Sequence, residues 1–125
     1  MIEIITGIDL VEVNRLRTIN PAIKERFLTR VYTPGELEDC NSRETSLAGR
    51  FAAKEAAAKA LGCGIGIIRW QDVEIRLDQR GKPVLNLYGR ALEIAREQAW
   101  ISWSVSISHT SNYAIACVTA LFEKN

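Results

Sequence analysis

The chain has 125 residues, which is the size of one ordinary domain. Hydrophobic residues make up 47% of it and charged residues 25%, as is typical of a soluble globular protein, and a net charge of +1 gives no overall attraction to nucleic acid. No apolar run is long enough to span a bilayer, and an N-terminal stretch that contains Glu3 and Asp9 and lacks a basic lead is not expected to be a signal peptide.

The first predicted element is a strand over residues 2–8, where β-branched residues form a short apolar run. Asp9 follows it, at the point where Leu10, Val13 and Leu16 begin a helical spacing. On this pattern alone Asp9 is interpreted as the N-cap of a helix, because Asp is favoured at that position. A carboxylate at the end of a strand is also a common metal ligand, which is the second interpretation.

Two further helices are predicted in the first third of the chain. Asn20-Pro21 is an N-cap followed by proline at N1 and predicts a helix over residues 22–31, and Thr33-Pro34-Gly35-Glu36 is a capping-box pattern that opens another. This region is also locally basic, which indicates either a solvated helix face or a docking surface for an acidic partner. The basic residues are Arg15, Arg17, Lys24, Arg26 and Arg30.

The longest predicted helix covers residues 46–61 and ends at Gly62, a natural residue for the position after a helix. Apolar side chains cover almost all of its faces, so the helix is expected to be buried. Lys54 falls within the apolar arc and therefore needs a carboxylate or another anion as partner. Glu55 and Lys59 have the i, i+4 spacing of an ion pair within the helix.

After this helix, glycine occupies every second position of the segment Gly62-Cys63-Gly64-Ile65-Gly66. Spaced glycines let a backbone approach a phosphate closely. The segment follows a helix and does not join a strand to one, so it is neither a dinucleotide-binding fingerprint nor a P-loop. Taken alone, it is interpreted as a flexible turn.

The second half of the chain predicts a hairpin, a helix and two strands. The predicted ranges are a strand at residues 73–77, a turn at 79–82, a strand at 84–87, a helix at 89–100, a strand that alternates through residues 102–108, a turn at 109–112 and a strand at 113–121. The order β, α, α, α, β, β, α, β, β indicates one α+β domain over residues 1–125, with a mainly antiparallel sheet packed against the long helix.

Cysteine and histidine content limits the possible chemistry. Cys40, Cys63 and Cys117 lie far apart without a CxxC pair, which predicts reduced thiols and a cytoplasmic location and argues against disulfides or a zinc site. His109 is the single histidine, so a multi-histidine metal centre is excluded. On its own, this histidine is interpreted as a structural turn residue.

Three segments, each weak alone, occur in order: GIDL at residues 7–10, RFAAKEA at residues 50–56 and SISHT at residues 106–110. Together they resemble the holo-acyl-carrier-protein synthases, the small bacterial type of 4′-phosphopantetheinyl transferase. The glycine segment after the long helix, and the turn that contains Asp78 and Gly81-Lys82-Pro83, are also similar to that family. The resemblance therefore covers nearly the whole chain.

The resemblance implies an enzyme that transfers the 4′-phosphopantetheine group from coenzyme A to a serine of apo acyl carrier protein and releases adenosine 3′,5′-bisphosphate, in support of fatty acid biosynthesis. It implies Mg²⁺ as cofactor and coenzyme A as co-substrate. It also implies a homotrimer whose active sites lie between subunits. Neither nucleic acid nor a membrane is expected as a partner.

The resemblance further implies roles for individual residues. Asp9 and Glu55 would be the magnesium ligands, and Glu55, or water held by it, would accept the proton, with Lys59 as a third catalytic residue. The implied coenzyme-binding residues are Arg50, Lys54, Lys59, Gly62, Gly64, Gly66, His109 and Thr110, the last two contributed across a subunit interface. Arg15, Arg26 and Phe27 lie where the family docks the acidic recognition helix of the carrier protein.

Two positions depart from the family pattern. Ala58 stands where a hydroxyl residue is frequent and Cys63 where threonine is common. Each change would remove a hydrogen bond to coenzyme if the family's contact is present here, so altered affinity is expected and loss of activity is not.

Two alternatives belong to other functional classes. One is a non-catalytic trimeric module that binds coenzyme A or a carrier protein and has no use for Asp9 and Glu55 together. The other, a nucleic-acid-binding domain, is disfavoured by the near-neutral charge and by the lack of an aromatic and basic platform.

Overall fold

A computed structural model describes residues 1–125 and confirms an α+β fold. The strands are β1 (Ile2–Glu12), β2 (Val73–Leu77), β3 (Pro83–Leu87), β4 (Trp100–His109) and β5 (Tyr113–Glu123). The helices are α1 (Asn14–Arg17), α2 (Pro21–Val31), α3 (Pro34–Cys40), α4 (Glu44–Leu61) and α5 (Gly89–Glu97), and a short 3-10 helix over Trp70–Asp72 precedes β2.

The strands form two antiparallel sheets. The larger sheet has the order β1-β5-β4, and the smaller one is the hairpin of β2 and β3. Trp103 of β4 connects them, because its indole N–H donates a hydrogen bond of 3.0 Å to the carbonyl of Leu85 in β3. The predicted hairpin and the predicted antiparallel pairing are therefore confirmed.

Helix α4 packs across the inner face of the larger sheet and forms the centre of the core. Its alanines at positions 52, 53, 56, 57 and 60 are fully buried, and Leu47 and Leu61 are buried at its two ends. A helix with so many methyl side chains lets neighbouring elements approach closely on several sides. This explains why no single apolar stripe was visible in its sequence.

Strand β1 approaches α4 most closely at Gly7. A Cβ atom at this position would lie 2.0 Å from the carbonyl oxygen of Ala56 and 2.8 Å from the backbone nitrogen of Ala60. Both are backbone atoms of a packed helix and have no room to move aside. Glycine is therefore required at position 7 for a steric reason, and the contact determines where the next inward-facing residue, Asp9, meets the helix.

The outer face of the larger sheet remains exposed although it is apolar. On β1, Ile4, Ile8 and Leu10 are 66%, 56% and 60% exposed, and Ile115 of β5 lies beside Leu10 in the pairing. On β4 the same face carries serines at positions 102, 104, 106 and 108. The sheet thus has one face in the core and one exposed face that is apolar on β1 and at Ile115 of β5 and polar along β4.

The predicted end of β1 was wrong. The strand continues to Glu12, because β5 pairs with it over its whole length and places Asp9 opposite Ala116. Asp9 is consequently a strand residue and not a helix N-cap. The helix that was predicted to start near Leu10 is only the single turn α1.

Two helix boundaries also differ from the prediction. Helix α4 begins at Glu44, two residues before the predicted start, and α5 ends at Glu97, after which β4 begins at Trp100. The 3-10 helix before β2 was not predicted. None of the helices combines the length and the apolar character that crossing a membrane would require.

We predict that Gly7→Ala strongly destabilises the fold. The new methyl group would overlap backbone atoms of α4, and overpacking of a well-packed core typically costs about 1–3 kcal/mol of unfolding free energy and sometimes more. Urea unfolding at matched protein concentration measures this loss. Gly64→Ala is the control, because its Cβ meets nothing within 4 Å, and a wild-type midpoint for Gly7→Ala would contradict the close approach.

Candidate active site

Strand β1 and helix α4 bring Asp9, Glu55 and Lys59 together at one edge of the core. Lys59 Nζ lies 3.0 Å from Asp9 Oδ1 and also donates a hydrogen bond of 2.9 Å to the carbonyl of Ile8. The Lys59 side chain is 55% exposed, so its ammonium is still accessible from solvent. These residues form a small polar group at the junction of the strand and the helix.

Glu55 is half-buried and has no hydrogen bond or ion pair within the chain. Burial raises the pKa of its carboxyl group, the negative charge of Asp9 raises it further, and Lys59 and Arg15 lower it. The ion pair between Glu55 and Lys59 that the helical spacing indicated does not form, because Lys59 turns to Asp9 instead. Glu55 is thus a carboxylate near a second carboxylate with unused acceptor oxygens.

Two neighbouring carboxylates are a suitable donor set for Mg²⁺. This ion is usually held by one or two carboxylates, with phosphate oxygens and waters completing its octahedral shell. No group of three or more His, Cys, Asp or Glu side chains with metal-site geometry is present, so a metal cage made by the protein alone is not indicated. Asp9 and Glu55 therefore fit a magnesium ion that shares its coordination with a phosphate-bearing ligand.

Lys54 does not join this group, and its predicted contact with a coenzyme phosphate is corrected by the structure. The side chain is fully buried on another side of α4, where its ammonium lies 2.8 Å from Glu36 Oε1. It also donates hydrogen bonds to the carbonyls of Trp70 and Val73. The carboxylate partner that the sequence required is thus Glu36, which the sequence analysis had identified only as a capping residue.

Arg50 is buried on α4, one turn before Lys54, and its side chain is incompletely paired. Only 7% of the residue is exposed, and its Nε and Nη2 atoms have no hydrogen-bond acceptor. The pKa of nearby Asp39 is lowered mainly by its hydrogen bond from Arg76 and only slightly by the charge of Arg50. Burial raises the pKa of Cys40 to about 11, and the charge of Arg50 opposes that rise. A buried guanidinium without an acceptor is costly and indicates a place where an anion would be stabilised.

The glycine segment begins directly after α4. Gly62 has φ +75° and ends the helix as predicted, and Gly66 has φ +120°, so backbone conformation explains both residues. A Cβ at Gly62, Gly64 or Gly66 would meet nothing within 4 Å, so open space lies beside each of them. Lys59 and Gly62 also line an open groove of about 430 Å³ whose apolar wall includes Trp100.

His109 and Thr110 lie at the turn between β4 and β5. The Thr110 hydroxyl accepts hydrogen bonds from the backbone N–H groups of Asn112 and Tyr113. His109 and Thr110 are both exposed. Together with Leu10 they line a cavity of about 200 Å³ beside the outer face of the larger sheet. Neither His109 nor Thr110 forms a hydrogen bond or ion pair with Asp9, Glu55 or Lys59 within the chain.

The predicted docking residues share one neighbourhood beside the carboxylates. The Arg15 guanidinium lies 5.6 Å from the ring centroid of Phe51, and both residues line an apolar cavity of about 130 Å³ together with Phe27. Arg26 and Phe27 border a second open cavity on α2. Neither Arg15 nor Arg26 has an acidic partner within the chain, so the charge of this surface is available.

The chain also matches known proteins over most of its length. The family model described as "4'-phosphopantetheinyl transferase superfamily" matches residues 5–118. The holo-[acyl-carrier-protein] synthase of Herpetosiphon aurantiacus is 42% identical over 125 residues, which cover 94% of this chain and 98% of the relative. The synthase of Moorella thermoacetica is 47% identical over 115 residues and covers 88% of each chain.

Solved structures agree with this similarity. The crystal structure of the Helicobacter pylori holo-[acyl-carrier-protein] synthase in complex with coenzyme A superposes with a TM-score of 0.83 and 34% sequence identity. The superposition covers 92% of this chain and 98% of that one. Sequence and fold together show that the chain belongs to the holo-[acyl-carrier-protein] synthases, enzymes of the 4′-phosphopantetheinyl transferase superfamily.

Proposed function

We propose that this protein transfers the 4′-phosphopantetheine group of coenzyme A to a serine hydroxyl of an apo acyl carrier protein, with Mg²⁺ as cofactor. The observation that carries the proposal is the junction of β1 and α4, where two carboxylates and a lysine meet on a surface open to solvent. A module that only binds coenzyme A would gain nothing from placing Glu55 beside Asp9, because the two negative charges repel each other. We propose that the transferase serves fatty acid biosynthesis, as the family resemblance predicts.

Each residue of the junction has a distinct task in this reaction. Asp9 and Glu55 hold the magnesium ion, and Lys59 is close enough to Asp9 to bind the same pyrophosphate. The ion, when bound, neutralises the charge that develops on the phosphate oxygens. Positioning and charge neutralisation are the main sources of catalysis in phosphoryl transfer, so a site without a covalent nucleophile suffices.

The chemical step is balanced without a further reactant. The serine oxygen bonds to the β-phosphorus of coenzyme A, and the bond from that phosphorus to the bridging oxygen breaks, which releases adenosine 3′,5′-bisphosphate. The serine proton passes to Glu55 or to a water held by Glu55. The Glu55 side chain has no hydrogen bond or ion pair within the chain, so its oxygens are available to accept this proton or to hold the water.

Coenzyme binding is assigned to Arg50, Lys59, the glycine segment, His109 and Thr110. The unpaired nitrogens of Arg50 support a contact with a phosphate, and the open space beside Gly64 and Gly66 supports close approach of the adenosine end. The H. pylori relative was solved with coenzyme A bound, which supports this co-substrate. The effect of Ala58 and Cys63 on coenzyme affinity stays a prediction.

The carrier protein is expected to dock on the basic surface of α1 and α2. Arg15, Arg26 and Phe27 combine unpaired positive charge with a half-buried aromatic side chain beside an apolar cavity. Such a surface suits an acidic amphipathic helix, because charge complementarity steers the encounter and an aromatic anchor supplies affinity. Arg15 also lies close enough to Glu55 to affect its pKa, so a docked serine would arrive near the carboxylates.

A homotrimer is the proposed assembly. On the outer face of the larger sheet, Ile4, Ile8 and Leu10 of β1 and Ile115 of β5 are exposed, and a contiguous apolar patch of this kind marks a protein interface. His109 and Thr110 line a cavity together with Leu10 and Ile115 of this face. In the proposed trimer the turn that carries His109 and Thr110 would contact coenzyme held by the carboxylates of the next copy, as the family resemblance implies.

We predict that the protein adds one phosphopantetheine to apo acyl carrier protein only when Mg²⁺ is present. Intact-mass spectrometry of the carrier, with coenzyme A and with or without a chelator, measures this directly. Asp9→Asn and Glu55→Gln each remove a metal ligand and are expected to lower the rate by about 100-fold or more.

Glu97→Gln is the matched control for these variants. Its carboxylate is exposed on α5, pairs only with Arg90 and lies outside the proposed site, so wild-type activity is expected. Transfer that survives in Asp9→Asn and Glu55→Gln would contradict the metal assignment. Binding of coenzyme A without any change in carrier mass would favour the non-catalytic module.

We predict that Arg50→Met raises the thermal stability and at the same time weakens the use of coenzyme A. Removal of an unpaired buried charge is often stabilising, whereas a lost charge-assisted contact with phosphate costs about 10-fold or more in affinity. The melting temperature and the KM for coenzyme A are the two measurements. An unchanged KM would contradict the proposed contact between Arg50 and a phosphate of coenzyme A.

We predict a solution mass three times that of the 14.0 kDa chain in analytical ultracentrifugation. Ile115→Lys places a charge on the outer sheet face and is expected to yield monomers without activity, because the face would have to bury an unpaired ammonium. Val84→Lys is the control, since Val84 is similarly exposed but lies on the separate hairpin. A trimer that persists in Ile115→Lys would place the interface elsewhere.

A further inference from the structure

Glu36 lies in the core where α3, α4 and β2 meet, and its carboxylate is fully buried. One oxygen, Oε1, lies 2.8 Å from Lys54 Nζ and accepts a hydrogen bond of 2.9 Å from the backbone N–H of Thr33. The other oxygen, Oε2, accepts a hydrogen bond of 2.9 Å from the backbone N–H of Ile75. A single side chain therefore connects the start of α3, the middle of α4 and strand β2.

Lys54 is held just as completely from its own side. Its ammonium group has three N–H donors, and the structure offers three acceptors: the Glu36 carboxylate and the carbonyls of Trp70 and Val73. Every donor is used inside the protein. The Lys54 side chain thus has one defined position and no alternative contact with solvent.

Stability alone is a poor explanation for this arrangement. Desolvation of two charges largely offsets their attraction, so apolar side chains of similar size at the two positions would often be at least as stabilising. An ion pair of this kind fixes the orientation of the lysine, because the ammonium fits only where its three acceptors converge. The pair is therefore better explained by the orientation that it gives to this turn of α4.

The residue that follows Lys54 in the helix is Glu55. Successive side chains of a helix diverge by about 100°, so Lys54 faces α3 and β2 while Glu55 faces Asp9 of β1. Rotation of this turn of α4 would displace Glu55 and would have to pull Lys54 from its three acceptors. On the opposite side, the close approach of Gly7 to Ala56 limits the same movement.

We propose that Glu36 is a positioning residue for the transfer reaction: through Lys54 it fixes the turn of α4 that directs the Glu55 carboxylate towards Asp9. This role rests on the proposed function and extends it to a residue that touches neither coenzyme nor metal. By holding Lys54, Glu36 keeps the neighbouring Glu55 carboxylate in position.

Glu36→Gln tests the proposal. Glutamine keeps the shape of the side chain but loses the charge, and its amide nitrogen cannot accept the hydrogen bond that one carboxylate oxygen now receives. With coenzyme A, Mg²⁺ and carrier protein at saturation, kcat is expected to fall about 10- to 100-fold, as for residues that orient metal ligands. The KM for coenzyme A is expected to stay within about threefold, because Glu36 contacts none of the residues assigned to coenzyme binding.

Asp39→Asn is the matched control. Asp39 also lies on α3, its Oδ2 is 2.9 Å from Arg76 Nε, and it accepts a hydrogen bond from the backbone N–H of Leu77 in β2. This variant weakens the same junction of α3 and β2 and removes no hydrogen bond or ion pair to α4. Thermal melting should show a loss of stability in both variants, whereas only Glu36→Gln should lose kcat.

Glu36→Asp provides a second measurement, because it keeps the charge on a shorter side chain and is expected to lose at least about threefold in kcat. A wild-type kcat in a folded Glu36→Gln variant, or an equal loss in Asp39→Asn, would overturn the proposal. If Glu36→Gln does not fold, Glu36→Asp decides, and failure of both to fold would show a role in folding only. Absence of transfer by the wild-type protein would instead refute the proposed function.

Discussion

The contact between Gly7 and the backbone of Ala56 and Ala60 is the constraint on which the site depends. It lets β1 lie against α4 at a distance that no other residue would permit. Two residues further along the strand, Asp9 consequently reaches Lys59, and its charge acts on Glu55. The residues of the proposed site come from elements that are far apart in sequence, and a steric requirement at a glycine brings them together.

The charged residues of helix α4 lie on different faces and differ in how completely they are paired. Lys54 is fully satisfied inside the core, and the adjacent Glu55 has no partner within the chain. Arg50 combines the two conditions, because it is buried and yet lacks acceptors for two of its nitrogens. An unsatisfied group in an otherwise well-paired core indicates binding of a ligand more strongly than an exposed charge does, since burial without a partner lowers stability.

The sequence predicted the elements well where periodicity is local, and it failed where a distant partner decides the structure. Alternation predicted β2 exactly as the structure has it, and Gly62 ends α4 as expected. Asp9 was assigned to a helix cap because pairing with β5, more than 100 residues away, is not visible in its neighbours. Helical spacing likewise predicted Glu55 as the partner of Lys59. The observed partner is Asp9, which is distant in sequence and could not be inferred from the neighbours of Lys59.

The proposed trimer accounts for two features that a single chain leaves unexplained. Asp9 lies on β1 and His109 at the end of β4, with β5 between the two strands, and no hydrogen bond or ion pair joins His109 to Asp9 or Lys59. The exposed apolar side chains of Ile8, Leu10 and Ile115 have no cover from this chain, and their burial against a second copy would be favourable. Leu10 and Ile115 line the same cavity as His109 and Thr110, so a copy bound at this surface would lie beside the turn between β4 and β5. On this proposal the turn contacts coenzyme that the carboxylates of the neighbouring copy hold.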